Sequence, residues 1–212
     1  MKKIFLDIGA WQGDTIEIAL DYDFDVIYAF EPSISNCKII KEKIKDDRLI
    51  LNEVGLYHKN KIMDLHHAGS IGASIFSGKK FDKYNKKKFP DTDQCTFIKA
   101  STWFNENISK EDYVIVKMNV EGAEISILNN LLITKEYDKI NHMLISFDIG
   151  KVQGKGHLRL ELQKQLKELE ITNFIPMDEI KKVGKNEKSY PKMMRKILEC
   201  YFEMIEVQKI NK

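Results

Sequence analysis

Residues 113–124 read Tyr113-Val114-Ile115-Val116-Lys117-Met118-Asn119-Val120-Glu121-Gly122-Ala123-Glu124, and this stretch decides the fold. Its first four residues form an apolar run that predicts a buried strand, and Ile125 to Leu132 behind it predict a helix. The turn between them carries an amide, two carboxylates and a glycine. In open α/β sheets, ligands bind beyond the carboxyl ends of the strands. The stretch therefore predicts an α/β fold with a polar cluster where a ligand would bind.

The residues before this stretch alternate between strand and helix patterns, which predicts a parallel sheet with covering helices. The predicted strands are Lys3 to Ile8, Asp25 to Phe30 and Leu49 to Val54, and the predicted helices are Asp14 to Asp21 and Ser33 to Lys45. An insert at about residues 55–94 interrupts this rhythm. Its first part, Gly55 to Phe76, predicts a hairpin, and a polar segment follows at Ser77 to Asp93.

The remaining elements complete one expected domain over residues 1–212, with a helix and strand portion at about 151–212. They are Cys95 to Lys99 (strand), Trp103 to Asn107 (helical turn), His142 to Phe147 (strand), His157 to Leu169 (helix), Phe174 to Met177 (strand), Pro191 to Leu198 (helix) and Tyr201 to Val207 (strand). The last two strands would form an antiparallel edge, which is common in mixed sheets.

Composition excludes several classes of protein. The chain has 34 basic and 32 acidic residues and a net charge of +2, whereas a nucleic-acid binder shows a strong basic excess. A basic run from Lys79 to Lys88 is interpreted as a solvated loop. Three widely spaced cysteines fit a reducing compartment, and neither a signal peptide nor an apolar stretch long enough to span a bilayer is present. We therefore expect a cytoplasmic protein without a membrane span.

The turn after the first strand has the pattern D-x-G-x-x-x-G. Gly9 permits a tight turn, and Gly13 lets the next helix start close to the strand. Helix-start N–H groups favour a carboxylate or phosphate, whereas Asp7 would repel a diphosphate and attract an ammonium group. A ligand with both an ammonium and a carboxylate is an amino acid. S-adenosylmethionine carries both, together with an adenosine.

Glu31, at the end of the second predicted strand, is the other nucleoside signal. A carboxylate at this strand end can accept both ribose hydroxyls, as the acidic residue of dinucleotide sites does. Pro32 would open the following helix, where its missing N–H costs nothing. The alternative is that Glu31 only stabilises the N-terminus of that helix.

Together these segments resemble the FkbM family of S-adenosylmethionine-dependent methyltransferases. The resemblance covers about residues 3–150 and rests on Phe5 to Ala10, Gly13-Asp14-Thr15, Phe30-Glu31-Pro32, Gly69 to Ser74 and Lys117 to Glu124. It implies a Rossmann-like class I methyltransferase fold with a mostly parallel seven-stranded sheet, helices on both faces and an antiparallel edge. It also implies O-methylation with S-adenosyl-L-methionine as cofactor, and several relatives act on sugar hydroxyls.

The expected cofactor contacts lie on the first turn, the second strand end and the stretch quoted above. They are Asp7, Gly9, Ala10, Gly13, Asp14, Thr15, Glu31, Pro32, Ser33 and Asn119. Two positions depart from the family pattern. Asn119 stands where the family usually has Asp, and an amide is a poorer base and metal ligand. Trp11 replaces a small or polar residue, and it either shields the methionine end of the cofactor or packs under the insert.

Methyl transfer to a hydroxyl requires that the hydroxyl be aligned and its proton removed. The ends of the fourth and fifth strands offer Asn119, Glu121 and Asp148 for this role. Asp148 is the leading candidate for base or hydroxyl acceptor, and its alternative is a turn carboxylate. Glu121 either faces the substrate or only places a stabilising negative charge at the start of the following helix. His157 is a second candidate base.

Two further expectations concern the carboxyl ends of the predicted strands: the partner of Lys117 and the presence of a metal site. Lys117 is expected to reach a carboxylate such as Glu121, or else to extend its charge to the surface. Asn119 and Asp148 are only two oxygen ligands, one of them an amide, so no metal site is predicted.

Two other functions stay open. A dinucleotide-dependent oxidoreductase is disfavoured because the chain lacks G-x-G-x-x-G. A binding module that kept the fold but lost catalysis is compatible with Asn119. The expected partner is a small-molecule or glycan acceptor rather than nucleic acid, and neither the acceptor nor the oligomeric state follows from the sequence.

Overall fold

The computed structural model describes residues 1–77 and 92–210. Its strands are β1 (Lys3–Ile8), β2 (Val26–Phe30), β3 (Leu49–Asn52), β4 (Gly55–Tyr57), β5 (Lys61–Leu65), β6 (Asp93–Lys99), β7 (Tyr113–Met118), β8 (His142–Ile145) and β9 (Phe174–Pro176). Its α-helices are α1 (Asp14–Ala19), α2 (Ile34–Lys43), α3 (Ala100–Asn107), α4 (Glu124–Ile133), α5 (Gly156–Glu168), α6 (Met177–Ile180) and α7 (Tyr190–Met204). Short 3₁₀ turns cover Glu136–Lys139, Asp148–Lys151 and Lys181–Gly184.

The main sheet has the strand order β3-β2-β1-β7-β8-β9, and every neighbouring pair is parallel. This is the order of a Rossmann-like α/β fold, which changes direction between β1 and β7. The prediction of a parallel α/β sheet is confirmed. The predicted seventh strand and antiparallel edge are wrong for residues 1–77 and 92–210, where the sheet has six parallel strands.

Helices cover both faces of the main sheet, so its central strands are buried on both sides. Along β1, Ile4, Leu6 and Ile8 face one hydrophobic cluster, while Phe5 faces a second one. The first cluster includes buried residues of α3, α4 and α5, and the second includes residues of α1, α2 and α7. Side chains of a strand alternate between the two faces, so a near-continuous apolar run is what a doubly covered strand requires.

The C-terminal residues 201–204, predicted as a strand, form the end of α7. Its buried residues recur at helical spacing: Met194, Ile197, Leu198, Tyr201 and Phe202. That pattern presents one apolar stripe to the sheet. The aromatic residues near the C-terminus favour a strand locally, but packing of the whole stripe on the second cluster favours the helix.

The insert forms a small sheet of its own, with the order β4-β6-β5. The predicted hairpin is wrong, because β4 pairs parallel to β6 and β5 pairs antiparallel to the same strand. The Ser74 hydroxyl donates a 2.7 Å hydrogen bond to the Glu121 carbonyl, which ties the insert to the end of β7. The basic run from Lys79 to Lys88 lies outside the described residues.

No helix within the described ranges combines the length and apolar character needed to cross a bilayer.

Candidate functional site

A cleft lies at the carboxyl ends of β1, β2 and β7, where the strand order of the sheet reverses. It is lined by the loops after these strands, by the inner side of the insert and by the start of α7. The cleft encloses about 790 Å³ not occupied by atoms, including space open to solvent. Open α/β sheets bind ligands at such a switch point.

Beneath the cleft, Asp7 and Lys117 form a buried ion pair. They are direct neighbours in the register of β1 and β7, and their side chains are almost fully buried. The Lys117 ammonium lies 2.8 Å from Asp7 Oδ1 and also donates to the Gly9 carbonyl at 2.8 Å. The Thr15 hydroxyl donates to the other oxygen of Asp7. Asp7 therefore supports the floor of the cleft through Lys117, the partner that the register supplies.

Gly9 lets the ends of β1 and β7 approach closely. Its φ is +85°, and a Cβ at this position would lie 2.1 Å from the Asn119 carbonyl oxygen. No other residue type fits both the left-handed backbone and the available space. This close approach explains why a glycine follows β1. It also brings Asn119 to the wall of the cleft.

Glu31 lies at the end of β2 and is almost fully buried in the wall of the cleft. Its carboxylate accepts hydrogen bonds from the Trp11 N–H at 2.9 Å, the Ser33 N–H at 3.0 Å and the Asn36 amide at 3.2 Å. Burial raises the pKa of Glu31 to about 7, and these hydrogen bonds act against the rise. Glu31 thus holds two loops together and also lines the cleft.

Three buried oxygens around the cleft have no hydrogen-bond partner among the described residues. They are Asp14 Oδ2, Asn36 Oδ1 and Asn119 Oδ1, and all three residues line the cleft. Buried polar atoms are normally paired, and leaving one unpaired costs about 1–3 kcal/mol. All three are acceptors, so the cleft is complementary to a ligand that offers hydrogen-bond donors.

Two aromatic residues narrow the cleft, and sequence reasoning missed one of them. Tyr190, at the start of α7, packs edge-on against Trp11 with ring centroids 5.5 Å apart. Its hydroxyl accepts a 3.4 Å hydrogen bond from the Asn119 amide. Burial, with the charge of Asp7 next in size, raises the pKa of the Tyr190 hydroxyl. Pro191 marks the start of α7 in the sequence, but nothing there indicates which end of the sheet α7 reaches.

Trp11 packs against the insert and also lines the cleft, and its expected role in shielding the methionine end of the cofactor stays a prediction. Its indole N–H donates to the Gly69 carbonyl in the insert at 3.4 Å, and its ring lines the cleft. Its φ is +50°, a left-handed conformation that is uncommon for a bulky residue. Such backbone conformations cluster at ligand sites, where the surrounding structure holds them in place.

The expected cofactor residues separate into two groups. Those in the cleft wall are Gly9, Ala10, Asp14, Thr15, Glu31, Pro32 and Asn119. Those outside the wall are Asp7, Gly13 and Ser33, which act on the cleft through the backbone turns they shape and the groups they bind. Asn36, Lys117 and Tyr190 also line the cleft and were not among the expected contacts.

The expected catalytic residues are spread more widely. Glu121 lines the cleft and has a φ of +54°. Asp148 is buried outside the wall, with one carboxylate oxygen 2.7 Å from the Lys151 ammonium. His157 lies exposed in the first turn of α5, away from the cleft lining. Glu121 is therefore the candidate that the fold brings directly to the cleft.

Glu124 has a structural role in the same loop. Its buried carboxylate accepts hydrogen bonds from the Gly122 N–H at 2.8 Å and the Ile149 N–H at 2.6 Å. Burial raises its pKa to about 7, and the nearby charge of Asp148 adds to the rise. Glu124 thus links the end of β7 to the segment that follows β8. Within the described residues, no group of three or more potential metal-binding side chains occurs.

These features define a Rossmann-like α/β protein with a ligand cleft rich in acceptors at its switch point. No family model matches the chain, and no curated protein matches it. Among solved structures, the chain is similar to an FkbM methyltransferase from Methylobacillus flagellatus KT. The two share 14% identity over 78% of this chain and 36% of that chain, with a TM-score of 0.47. The chain thus spans about a third of that structure's length. At this identity and TM-score the likeness assigns neither fold nor activity to this chain.

Proposed function

We propose that the cleft binds S-adenosyl-L-methionine and that the protein transfers its methyl group to a hydroxyl of a sugar or glycan. The observation that carries the proposal is the set of three unpartnered acceptors, Asp14 Oδ2, Asn36 Oδ1 and Asn119 Oδ1, beside Glu31. A ribose diol and an ammonium group offer the hydrogen-bond donors that these oxygens lack.

The proposed contacts follow from the position of each acceptor. Glu31 and Asn36 are hydrogen-bonded to each other near the end of β2 and would accept the ribose hydroxyls. Asp14 and Asn119, near the ends of β1 and β7, would accept the ammonium group. The apolar wall from the insert, which includes Leu56, Leu65 and Phe97, would cover the base. When bound, the sulfonium of this cofactor supplies an activated methyl group.

Within the proposal, the protein's own residues must position the acceptor hydroxyl and take up its proton. Glu121 is the first candidate, because it lies in the cleft wall. Asp148 follows, since it is close enough for its charge to affect the Tyr190 hydroxyl but lies outside the wall. His157 would contribute only if the acceptor extends along the start of α5. The cysteines are free in the described structure, and we place the reaction in the cytoplasm.

One structural observation favours a second candidate, a dinucleotide-dependent oxidoreductase. The order of six parallel strands is that of dinucleotide-binding domains. The Asp14 carboxylate at the start of α1 argues against a diphosphate in the cleft, because like charges in a partly buried site repel. Glu31 does not decide between the two, since a carboxylate at this strand end suits the ribose of either cofactor.

The proposal is tested by incubating the full chain with methyl-labelled S-adenosylmethionine and a panel of sugars, glycans and small alcohols. We expect label in at least one carbohydrate, and a loss of at least 100-fold in Glu121→Gln, in line with typical general-base contributions. Asp148→Asn is the comparison variant. Hydride transfer with a nicotinamide cofactor in place of methyl transfer would refute the proposal. Cofactor binding without turnover across the panel would favour an inactive binding module.

A further inference from the structure

Five lysines occur within twelve residues of sequence, between the end of α6 and the first turn of α7. They are Lys181, Lys182, Lys185, Lys188 and Lys192, and we refer to them as the lysine patch. Residues 181–192 contain a single acidic residue, Glu187, although the whole chain is nearly balanced in charge. The positive charge of this segment is therefore local.

The lysines of the patch form no ion pair with any described residue, and their side chains are exposed or half-exposed. Neighbouring cations behave differently: Lys196 lies 2.5 Å from Glu187, and Arg195 lies 3.1 Å from Asp21. The bordering acid Asp178 is paired with Arg159 rather than with a lysine of the patch. The hydrogen bond from Lys196 and the charge of Lys192 lower the pKa of Glu187, so Glu187 offsets part of the patch. One acid against five lysines still leaves the patch with a net positive charge.

The fold holds the patch compact and next to the cleft. The turn Lys181–Gly184 packs on α7 so closely that a Cβ at Gly184 would lie 2.7 Å from Met193 Cγ. Lys188 and Lys192 are each two residues from Tyr190, which lines the cleft. Two residues of chain span at most about 7 Å, so the backbones of both lysines lie near the rim of the cleft.

The composition of the patch indicates the kind of anion it fits. Residues 181–192 contain no arginine, the residue that binds phosphate diesters and guanine edges bidentately. Their single aromatic residue, Tyr190, lines the cleft and packs edge-on against Trp11, so it offers no open platform for base stacking. The net charge of +2 also falls short of the basic excess of nucleic-acid binders. A small lysine cluster suits one or two point charges, such as a carboxylate or a phosphate monoester.

We infer that the lysine patch binds an anionic group of the acceptor, so that the methylated molecule is an acidic sugar or glycan. This inference rests on the proposed function for the identity of the reaction, but the binding it describes is independent of methyl transfer. The hydroxyl to be methylated would lie in the cleft, while the carboxylate or phosphate of the same molecule lies outside Tyr190.

The test is calorimetric titration of the full chain at low salt, with and without S-adenosylhomocysteine. The probes are an oligogalacturonate for carboxylates, a hexose monophosphate for phosphate, a neutral oligosaccharide of matched length and a single-stranded oligonucleotide of matched charge. We expect at least one acidic carbohydrate to bind at least tenfold more tightly than the neutral one. The affinity should fall as salt is raised, because exposed charges are screened.

The variant pair K188Q/K192Q provides the decisive comparison, and K164Q/K167Q on the exposed face of α5 removes the same charge elsewhere. We expect a five- to tenfold loss for the first pair, since one exposed ion pair contributes up to about a factor of five, and no loss for the second. Equal losses in both pairs, equal binding of the neutral sugar, or tighter binding of the oligonucleotide would each overturn the inference. Unchanged affinity for S-adenosylhomocysteine in K188Q/K192Q separates this outcome from a failure of the proposed function.

Discussion

At the scale of single residues, the floor of the cleft depends on one buried ion pair. Asp7 and Lys117 are 0% and 2% exposed, and the Lys117 ammonium also holds the Gly9 carbonyl. A buried charge that loses its partner costs several kcal/mol, so removing either residue alone should lower the free energy of unfolding. The pair therefore fixes the relative position of the ends of β1 and β7.

Replacing Lys117 by Met should destabilise the protein by about 3–5 kcal/mol, because Asp7 is left buried without its cation. The double variant Asp7→Asn with Lys117→Met should recover part of this loss. Urea unfolding followed by circular dichroism measures both. Lys43→Met is the control, since Lys43 is 33% exposed in its pairs with Asp14 and Glu17 and its loss should cost at most about 1 kcal/mol. Equal losses in the two single variants would refute this role of the pair.

The partner of Lys117 shows what a single sequence leaves open. The sequence indicated a lysine at a strand end that reaches a carboxylate, and suggested Glu121 four residues later. The observed carboxylate, Asp7, lies 110 residues away and becomes a neighbour only through the register of β1 and β7. Register between parallel strands is set by packing of the whole sheet and by the helices between them, so it cannot be read from local pattern.

The buried carboxylate of Glu124 predicts an unusual pH dependence of stability. Its pKa is raised from an ordinary value of 4.5 to about 7, so the folded state binds more protons than the unfolded state between these values. The unfolding free energy contributed by Glu124 is then complete below about pH 4.5 and is lost as the pH rises through about 7. Wild type should lose up to a few kcal/mol relative to Glu124→Gln over this range.

Chemical unfolding of both proteins at intervals from pH 5 to pH 8 checks this expectation. The difference between them is the quantity to follow, because burial lowers the pKa of His58 and His142, which act in the opposite direction below their ordinary pKa of 6.5. Wild type that becomes less stable relative to Glu124→Gln as the pH falls from 8 to 5 would contradict the stated direction.

At the scale of elements, the cleft depends on how closely the ends of two neighbouring strands approach. Gly9 at the end of β1 lies against the Asn119 backbone at the end of β7. The short segment after each strand then turns into a left-handed conformation, at Trp11 and Glu121 respectively. Both turns line the cleft, together with residues of the insert.

Gly9→Ala should therefore cost at least about 2 kcal/mol, since a left-handed backbone alone costs a non-glycine residue about 1–2 kcal/mol and the added methyl overlaps Asn119. Gly150→Ala is the matched control, because no atom lies within 4 Å of a Cβ at that position. That change should be neutral or slightly stabilising. Thermal unfolding of both variants provides the measurement, and similar melting temperatures would contradict the close approach.

The elements also show where sequence reasoning succeeds. The strands β1, β2 and β7 were predicted because each is a short apolar run followed by a turn with glycine or proline, a pattern that persists when a strand is buried on both faces. The end of α7 was predicted as a strand because Tyr201, Phe202 and Val207 favour strands locally. The helical spacing from Met194 to Phe202 is visible only when the whole segment is considered together.

At the scale of the whole molecule, the order of the six parallel strands places the cleft where that order reverses, between β1 and β7. The contributions to this cleft come from the start, the middle and the end of the chain, through Asp14, Asn119 and Tyr190. The first two follow strands that the sequence reveals. Tyr190 reaches the cleft only because α7 packs across the sheet beside α1, a long-range arrangement that the sequence alone does not specify.

The strand order by itself is compatible with a dinucleotide and with a sulfonium nucleoside, so the choice between them rests on the charges of the cleft. Calorimetry with S-adenosylhomocysteine and with NAD, on the same preparation, tests this choice most directly. We expect S-adenosylhomocysteine to bind below millimolar concentration and NAD not to bind. In Glu31→Gln the affinity for S-adenosylhomocysteine should fall roughly tenfold, because the Glu31 carboxylate no longer accepts hydrogen bonds from the ribose hydroxyls. Binding of NAD, with no binding of S-adenosylhomocysteine at millimolar concentration, would contradict this expectation.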